Sequence, residues 1–210
     1  MAAGSTRLRP RHRHPDVVII GDSLTAGAHA SDRRRAYPAL TLDALRLGAE
    51  GSRTSRVIGL SGGRVADLAE RRLAPARRLV VVEAGTNDWL GYVRSGGWSP
   101  TPLEQFGHSY GRLLDRMLGP EVVLICLGIW GPRAGQSEAG GAVEDYDAVI
   151  ADECHRRGGR FLALAGIHDD ASCRGPAGRS TPFGTSDELH PNDHGHRRLA
   201  ELVLAAYETS

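Results

Sequence analysis

The sequence predicts an α/β fold in which a parallel sheet of five strands lies between two layers of helices. Five short runs rich in Val, Ile and Leu are separated by stretches with helical spacing, so that strand and helix alternate five times. Alternation of this kind, with right-handed crossovers, is typical of a three-layer α/β/α sandwich. A chain of 210 residues is long enough for one core of ordinary size but too short for two domains of ordinary size.

The predicted strands are continuous apolar runs, which is typical of strands buried on both faces of a parallel sheet. They cover residues 17–20, 56–58, 79–83, 122–127 and 161–165. The predicted helices cover residues 37–47, 65–73, 102–118, 143–157 and 192–207. Three long irregular stretches, residues 91–100, 130–141 and 168–186, are expected to form the walls or lids of a pocket.

The chain is expected to be a basic, flexible tail over residues 1–15 followed by a single domain over residues 16–210. The first apolar run, residues 17–20, is too short to be a signal-peptide core or a membrane span. Cys126, Cys154 and Cys173 are an odd number without a CxxC pair, so neither a disulfide framework nor a zinc knuckle is indicated. These features favour a reducing, cytoplasmic location.

Charge and composition exclude several functions. The formal net charge is +1, from 26 basic and 25 acidic residues, so nothing favours nucleic acid as a partner. All of the basic residues are arginine. A Ser-Lys dyad, a Schiff-base lysine and a phosphate-loop lysine are therefore impossible.

Polar residues that could take part in catalysis follow the predicted strands. Ser23 follows the first strand, Gly62 the second and Asn87 the third, while Asp187 and His190 precede the last helix. Because ligands bind outside the carboxyl ends of parallel strands, we expect these residues to converge on one crevice. A serine hydroxyl is a poor nucleophile until a base removes its proton, and a carboxylate three residues before a histidine is suited to orient that base.

Four sequence blocks resemble the GDSL hydrolases, also called SGNH hydrolases, in order and approximate spacing along nearly the whole chain. They are Gly21-Asp22-Ser23-Leu24, Leu60-Ser61-Gly62-Gly63, Gly85-Thr86-Asn87-Asp88 and Asp187-Glu188-Leu189-His190-Pro191. The resemblance implies a flavodoxin-like SGNH hydrolase fold. It also implies a serine esterase that cleaves a small-molecule acyl ester through an acyl-enzyme, with no metal or organic cofactor.

The resemblance also implies roles for individual residues. Ser23 would attack the acyl carbonyl, His190 would take its proton, and Asp187 would orient the imidazole. The backbone N–H groups of Ser23 and Gly62 and the side-chain amide of Asn87 would form the oxyanion hole. We expect the neighbouring Asp88 to be structural, holding its loop through hydrogen bonds to nearby N–H groups.

Other functions with the same residues stay open. An acyltransferase, a deacetylase or a thioesterase could use the same triad on a sugar or a secondary metabolite, and the sequence does not separate these from hydrolysis. A catalytically idle binding module with this fold is the alternative of another class. The acyl chain, the alcohol and the oligomeric state are also left open.

Two other patterns compete with this assignment. Ser61 lies in Gly59-Leu60-Ser61-Gly62-Gly63, which matches the nucleophile elbow of α/β-hydrolases, but only one predicted strand precedes it. His190, His194 and His196, with Asp187 and Asp193, resemble a metal cluster. Pro191 favours a helix start there, which would separate His190 from the other two histidines. We therefore expect His194 and His196 to be surface or capping residues, with Asn192 or Asp193 capping the helix.

Large side chains in the loops are candidates for substrate binding. Trp89, Trp98 and Trp130 lie in or beside the loops at the expected active edge, where they would form a partly aromatic pocket or pack in the core beneath it. Arg94 and Arg133 lie in the same loops and are candidates for binding an anionic group.

Overall fold

A computed structural model of the chain describes residues 14–47, 54–95, 103–133 and 138–210, and almost all of the expected tail, residues 1–13, lies outside them. Five parallel strands form the central sheet. They are β1 (Val17–Gly21), β2 (Ser55–Gly59), β3 (Leu79–Glu83), β4 (Val123–Leu127) and β5 (Arg160–Leu162). Their order is β2-β1-β3-β4-β5, as in flavodoxin-like folds, which confirms the predicted fold class.

Helices cover both faces of the sheet. They are α1 (Ser23–Ala26), α2 (Tyr37–Leu47), α3 (Val65–Ala69), α4 (Thr86–Arg94), α5 (Leu103–Asp115), α6 (Glu138–His155), α7 (Ala165–His168) and α8 (Asp193–Glu208). Two 3-10 turns, Arg33–Arg35 and Ala171–Cys173, and a small antiparallel hairpin, β6 (Ser180–Thr181) and β7 (Gly184–Thr185), complete the described elements.

The core consists of two layers because the side chains of each strand alternate between the two faces of the sheet. In β1, Val18 and Ile20 face the layer that contains α3, α5 and α6, whereas Val17 and Ile19 face the layer that contains α8 and the start of α2. This alternation buries every residue of β1 and β3. The result explains why these strands appear in the sequence as unbroken apolar runs.

Several predicted boundaries are wrong. The fifth strand ends at Leu162, because the apolar residues that follow lead into α7 instead of extending the strand. Helix α3 ends at Ala69, four residues earlier than predicted. Residues 86–94 form helix α4, although Asn87 and Asp88 favour turns and residues 91–100 were expected to be irregular. Helix α6 begins at Glu138, inside another stretch that was expected to be irregular.

Sheet order determines where a site can lie. The strand order reverses beside β1, where β2 lies on one side and β3 on the other. The chain leaves the carboxyl ends of these three strands towards Ser23, Gly62 and Asn87 respectively. A crevice at such a reversal is where ligands bind in open α/β sheets.

Candidate active site

Ser23 is the first residue of α1, directly beyond the carboxyl end of β1. The carboxylate of Asp22 caps this helix, because its Oδ1 accepts a hydrogen bond from the Leu24 N–H at 3.1 Å. Gly21 allows the tight exit from the strand, since a Cβ at this position would lie 2.0 Å from the Glu83 carbonyl oxygen. The serine is thereby held at the sheet edge by a short, capped turn.

His190 lies between Ser23 and Asp187. The Ser23 Oγ is 3.0 Å from the His190 Nε2, and the His190 Nδ1 is 2.9 Å from the Asp187 Oδ2. The second oxygen of Asp187 accepts hydrogen bonds from the backbone N–H groups of Leu189 and His190, at 2.9 and 2.8 Å. A hydroxyl, an imidazole and a carboxylate therefore form one continuous hydrogen-bonded row.

Electrostatics keep Asp187 ionised. Partial burial alone would raise the pKa of this carboxyl, but the hydrogen bonds from the His190 backbone and side chain outweigh it and lower the pKa below its ordinary value. A carboxylate that stays charged fixes the Nδ1–H tautomer of the imidazole and leaves the Nε2 as the acceptor that faces Ser23.

Three contacts position the turn that carries Asp187 and His190. The indole Nε1 of Trp130 donates to the Leu189 carbonyl at 2.7 Å. Asn192 caps α8 and also donates from its Nδ2 to the carbonyls of Arg174 and Gly175, at 2.8 and 3.0 Å. Asn192 is thus the helix cap, as expected, but Pro191 precedes the cap instead of being the first helical residue.

Gly62 and Asn87 lie on the same side of Ser23. The φ angle of Gly62 is +74°, in the left-handed region that favours glycine, and open space surrounds the position where a Cβ would be. The Asn87 Nδ2 donates to the Asp22 Oδ2 at 3.2 Å and to the Gly63 carbonyl at 3.1 Å. These contacts hold the amide in place, so a substrate oxygen would have to share or replace one of them.

Asp88 has the structural role expected from the sequence. Its Oδ2 accepts a hydrogen bond from the Val65 N–H at 3.0 Å, which ties the start of α4 to the start of α3. Burial raises the pKa of this carboxyl to about 6.

His29 was missed by the sequence analysis. Its ring packs against the ring of His190, with centroids 4.5 Å apart, and its Nδ1 accepts a hydrogen bond from the Asp187 N–H at 3.2 Å. Burial and the neighbouring His190 lower the pKa of His29, which favours the neutral form that can accept this bond. A lone histidine between Ala28 and Ala30 offered no periodic signal.

A buried carboxyl group behind Ser23 was also missed. Glu83, at the end of β3, is fully buried, and its Oε2 accepts hydrogen bonds from the Asp22 N–H at 3.3 Å and the Thr25 hydroxyl at 3.2 Å. Burial and the nearby Asp22 carboxylate raise the pKa of Glu83 well above its ordinary value. Burial thus favours the neutral form of Glu83, whose side chain supports the Asp22 turn. A charged residue type in an apolar strand was the available signal.

The row of Ser23, His190 and Asp187 opens into a cavity of about 400 Å³. Ser61, Gly62, Asn87, His29 and Arg94 also line it. Its apolar walls come from Leu24, Ala28, Leu90, Trp130, Phe183 and Leu189. Phe183 lies in the turn between β6 and β7, a segment that the sequence analysis assigned only to a long loop.

The three tryptophans do not share one environment. Trp130 lines the cavity, although only 1% of it is exposed. Trp89 packs in the hydrophobic core, which is the second of the two positions expected for it. Trp98 lies outside the described residues. Of the two arginines, Arg94 lines the cavity and Arg133 instead pairs with Asp169 at 3.5 Å.

The histidines at the start of α8 do not form the metal cluster suggested by their spacing. His196 is fully buried, with its Nε2 2.9 Å from the Ala28 carbonyl, so its expected surface position is wrong. His194 lies beside the Ser172 hydroxyl at 3.2 Å. Potential ligand atoms of His29, Asp187 and His190 do lie within 4.8 Å of one another and could hold an ion. In the structure the His190 Nδ1 is hydrogen-bonded to the Asp187 carboxylate, and the His29 Nδ1 accepts the backbone N–H of Asp187.

Ser61, the competing nucleophile, is exposed at the cavity wall. Among the residues that the structure describes, no histidine or carboxylate hydrogen-bonds to its hydroxyl, whereas Ser23 has both His190 and Asp22 as partners. A serine without a base is a weak nucleophile. The geometry therefore favours Ser23.

The profile of the GDSL-like lipase/acylhydrolase family matches residues 19–198 of this chain. No curated protein is a significant match. None of the described helices is both long and apolar enough to cross a membrane.

Several solved structures share the fold. An α/β hydrolase enzyme from the metagenome of Lake Arreo in Spain is 22% identical, with a TM-score of 0.65 over 91% of this chain and 94% of its own. An extracellular lipase from Streptomyces rimosus is 19% identical, with a TM-score of 0.63 over 91% and 99%. A catalytic mutant of an acetylxylan esterase from Geobacillus stearothermophilus is 17% identical, with a TM-score of 0.64 over 91% and 93%.

Proposed function

We propose that this chain, which belongs to the GDSL-like lipase/acylhydrolase family and is a hydrolase of ester bonds, cleaves a carboxylic ester through an acyl-enzyme on Ser23. The single observation that carries the proposal is the row of contacts from the Ser23 Oγ through His190 to Asp187, at 3.0 and 2.9 Å. These distances are short enough for proton transfer and for orientation of the base.

In the proposed reaction the Ser23 Oγ attacks the carbonyl carbon of the ester while the His190 Nε2 takes its proton. His190 then returns the proton to the departing alcohol, which leaves the acyl group on Ser23. A water molecule, activated in turn by His190, releases the acid and restores the serine. Asp187 stabilises the imidazolium that forms in each half of the reaction.

The negative charge that develops on the carbonyl oxygen requires donors on the opposite side of the cavity from His190. We assign this role to the backbone N–H groups of Ser23 and Gly62 and to the Asn87 amide. Removal of one such donor typically costs about 3 to 4 kcal/mol of transition-state stabilisation. Asp22 and Gly63 fix the position of the Asn87 amide, and the oxyanion would share or replace one of these two contacts.

Replacement of Ser23 by alanine tests the proposal. Ser23→Ala should lower kcat for 4-nitrophenyl acetate at least about 10⁴-fold, as loss of a triad nucleophile does. Ser61→Ala is the matched control at the same cavity and should retain most of the activity. The proposal is overturned if Ser23→Ala keeps its activity and Ser61→Ala loses it.

We also propose a reducing, cytoplasmic location. Cys126, Cys154 and Cys173 are buried free thiols, and Cys126 and Cys154 lie within hydrogen-bonding reach of each other without forming a disulfide. Reduced, adjacent thiols are typical of proteins kept in a reducing compartment. Fractionation of the native host, followed by immunodetection, tests this location.

A further inference from the structure

A second cavity adjoins the candidate active site on the side of the proposed oxyanion donors. It has a volume of about 450 Å³, and its lining residues are Gly62, Arg64, Asn87, Gly91, Arg94 and Ser95. Gly62, Asn87 and Arg94 also line the cavity that contains Ser23. The two cavities therefore adjoin at these three residues.

The fold places two guanidinium groups at this second cavity. Arg64 directly precedes α3, and Arg94 is the last residue of α4. Gly91, one turn before Arg94, makes room for the first of them, since a Cβ there would lie 3.0 Å from the Arg64 Nη2. Arg64 thus lies against α4 close to Arg94, and both arginines are exposed to solvent.

The charged residues that line this cavity are both arginines. None of its six lining residues is acidic. Two carboxylates lie on the flanking helices: Asp67 accepts the Arg64 backbone N–H at 2.9 Å, and the buried Asp88, which the Arg64 charge also attracts, accepts the Val65 N–H. Within the described parts of the chain, no carboxylate forms an ion pair with the guanidinium of Arg64 or Arg94, whereas Arg133 pairs with Asp169.

We propose that Arg64 and Arg94 form an anion-binding subsite, and that the preferred ester carries a carboxylate or phosphate group on its acyl or alcohol part. The guanidinium fork matches both oxyanions in shape and charge. The inference rests on the proposed function, because it places the anionic group relative to an ester carbonyl at Ser23.

Pairs of esters that differ in charge but little in size test the subsite. For the acyl part, mono-4-nitrophenyl glutarate is compared with 4-nitrophenyl valerate. For the alcohol part, 4-acetoxybenzoate and 4-acetoxyphenyl phosphate are compared with 4-acetoxybenzamide. The measured quantity is the ratio of kcat/KM for the charged ester to that for its neutral partner. A ratio above one in a single arm identifies the part of the substrate that carries the anion.

Arg64→Gln and Arg94→Gln should each lower this ratio about fivefold, the change expected for an exposed charge pair. The double variant should lower it further, and 0.5 M NaCl should lower it in the unmodified protein by screening. Arg64→Lys and Arg94→Lys keep the charge and should retain part of the ratio. Arg78→Gln, at the opposite end of β3, is the control and should leave the ratio unchanged.

An unchanged ratio in the double variant, or a ratio of one or less in every arm, would overturn the subsite. Calorimetric binding of the charged esters to Ser23→Ala protein, with and without the two arginine substitutions, measures the subsite without turnover. Loss of affinity in the arginine variants supports the subsite even if ester hydrolysis by Ser23 fails its own test. Equal affinity contradicts the subsite even if hydrolysis is established.

Discussion

His29 is the residue whose position most constrains the proposed base. Its ring packs against the His190 ring at an interplanar angle of 60°, and its Nδ1 accepts the N–H of Asp187, so it contacts two members of the row at once. Its φ angle is +64°, a left-handed conformation that histidine and asparagine adopt more readily than most residues. Both the side chain and the backbone therefore favour a residue of this kind, and we assign it a positioning role.

Two substitutions of His29 test the contribution of its Nδ1 as a hydrogen-bond acceptor. The Oδ1 of His29→Asn can replace the Nδ1 as the acceptor, whereas His29→Leu provides no acceptor and adopts the left-handed conformation poorly. We expect His29→Leu to lower kcat about fivefold, the value of one hydrogen bond, and His29→Asn to lower it less, with KM for a neutral acetate ester nearly constant. Equal losses in both variants would contradict a role for the acceptor.

Glu83 provides a second prediction at the scale of single residues. Because burial favours the neutral form of this acid, Glu83→Gln should preserve its shape and charge and keep kcat within about twofold of the unmodified protein. Glu83→Leu removes the Oε2 acceptor, but the Asp22 N–H keeps the Glu83 carbonyl at 3.1 Å and the Thr25 hydroxyl keeps the Tyr37 hydroxyl at 2.6 Å. The expected cost is therefore about 1 kcal/mol in unfolding free energy. Urea denaturation and ester hydrolysis measure the two effects. A Gln variant as damaged as the Leu variant would show that the ionised form is needed.

At the scale of elements, the strands were predicted well because burial on both faces leaves a continuous apolar signal. Helix α4 was missed because its first turn contains Asn87 and Asp88, which favour turns, and tertiary contacts to α3 overrode that preference. The burial of His196 agrees with the apolar spacing of the helix that contains it. It shares one face of α8 with Leu199 and Val203, which are also fully buried, at spacings of three and four residues.

The residues of the candidate site also differ in how well the sequence predicted them. Local motifs predicted Ser23, Asp187 and His190 as partners, because each lies beside a recognisable strand end or helix start. His29 and Glu83 act through contacts across the chain, with Asp187 and Asp22 respectively, and no local pattern records such contacts. Arg64 was missed for another reason, since one arginine among 26 basic residues carries no signal without a structure.

The start of α8 couples helix stability to the position of His190. Asn192→Ala removes both the cap and the Nδ2 bonds to the preceding loop, so unfolding free energy should fall by about 1 to 2 kcal/mol. Because His190 lies two residues before the cap, kcat should fall as well. Urea denaturation and ester hydrolysis measure both changes. Arg197→Ala, on an exposed part of the same helix, is the control, and equal behaviour of the two variants would contradict the coupling.

At the scale of the whole molecule, we propose that residues 16–210 fold as one domain. The two core layers share the strands of one sheet, so neither layer can form without the other. Unfolding should then be a single cooperative transition, which makes the pH dependence of stability a property of the whole chain.

Asp147 lies outside the candidate site and provides a test of how the unfolding free energy depends on pH. This residue of α6 accepts the Ile129 N–H at 2.7 Å, and burial raises the pKa of its carboxyl to about 6, above the ordinary value of 3.8. Between these values the folded state binds more protons than the unfolded state. The stabilisation that this carboxyl contributes to the folded state is therefore fully present below pH 3.8, and it is lost as the pH rises through about 6.

Asp147→Asn keeps an oxygen that can accept the Ile129 N–H but cannot ionise. Relative to the unmodified protein, its unfolding free energy should therefore rise by about 2 kcal/mol between pH 4 and pH 7, after allowance for partial solvent screening. Urea denaturation at a series of pH values measures the difference. Asp145→Asn, which alters an exposed carboxylate on the same helix, should show almost no such change. A difference for Asp147→Asn that is flat with pH would mean that the Asp147 carboxyl ionises at its ordinary pKa, because water reaches it beneath α6.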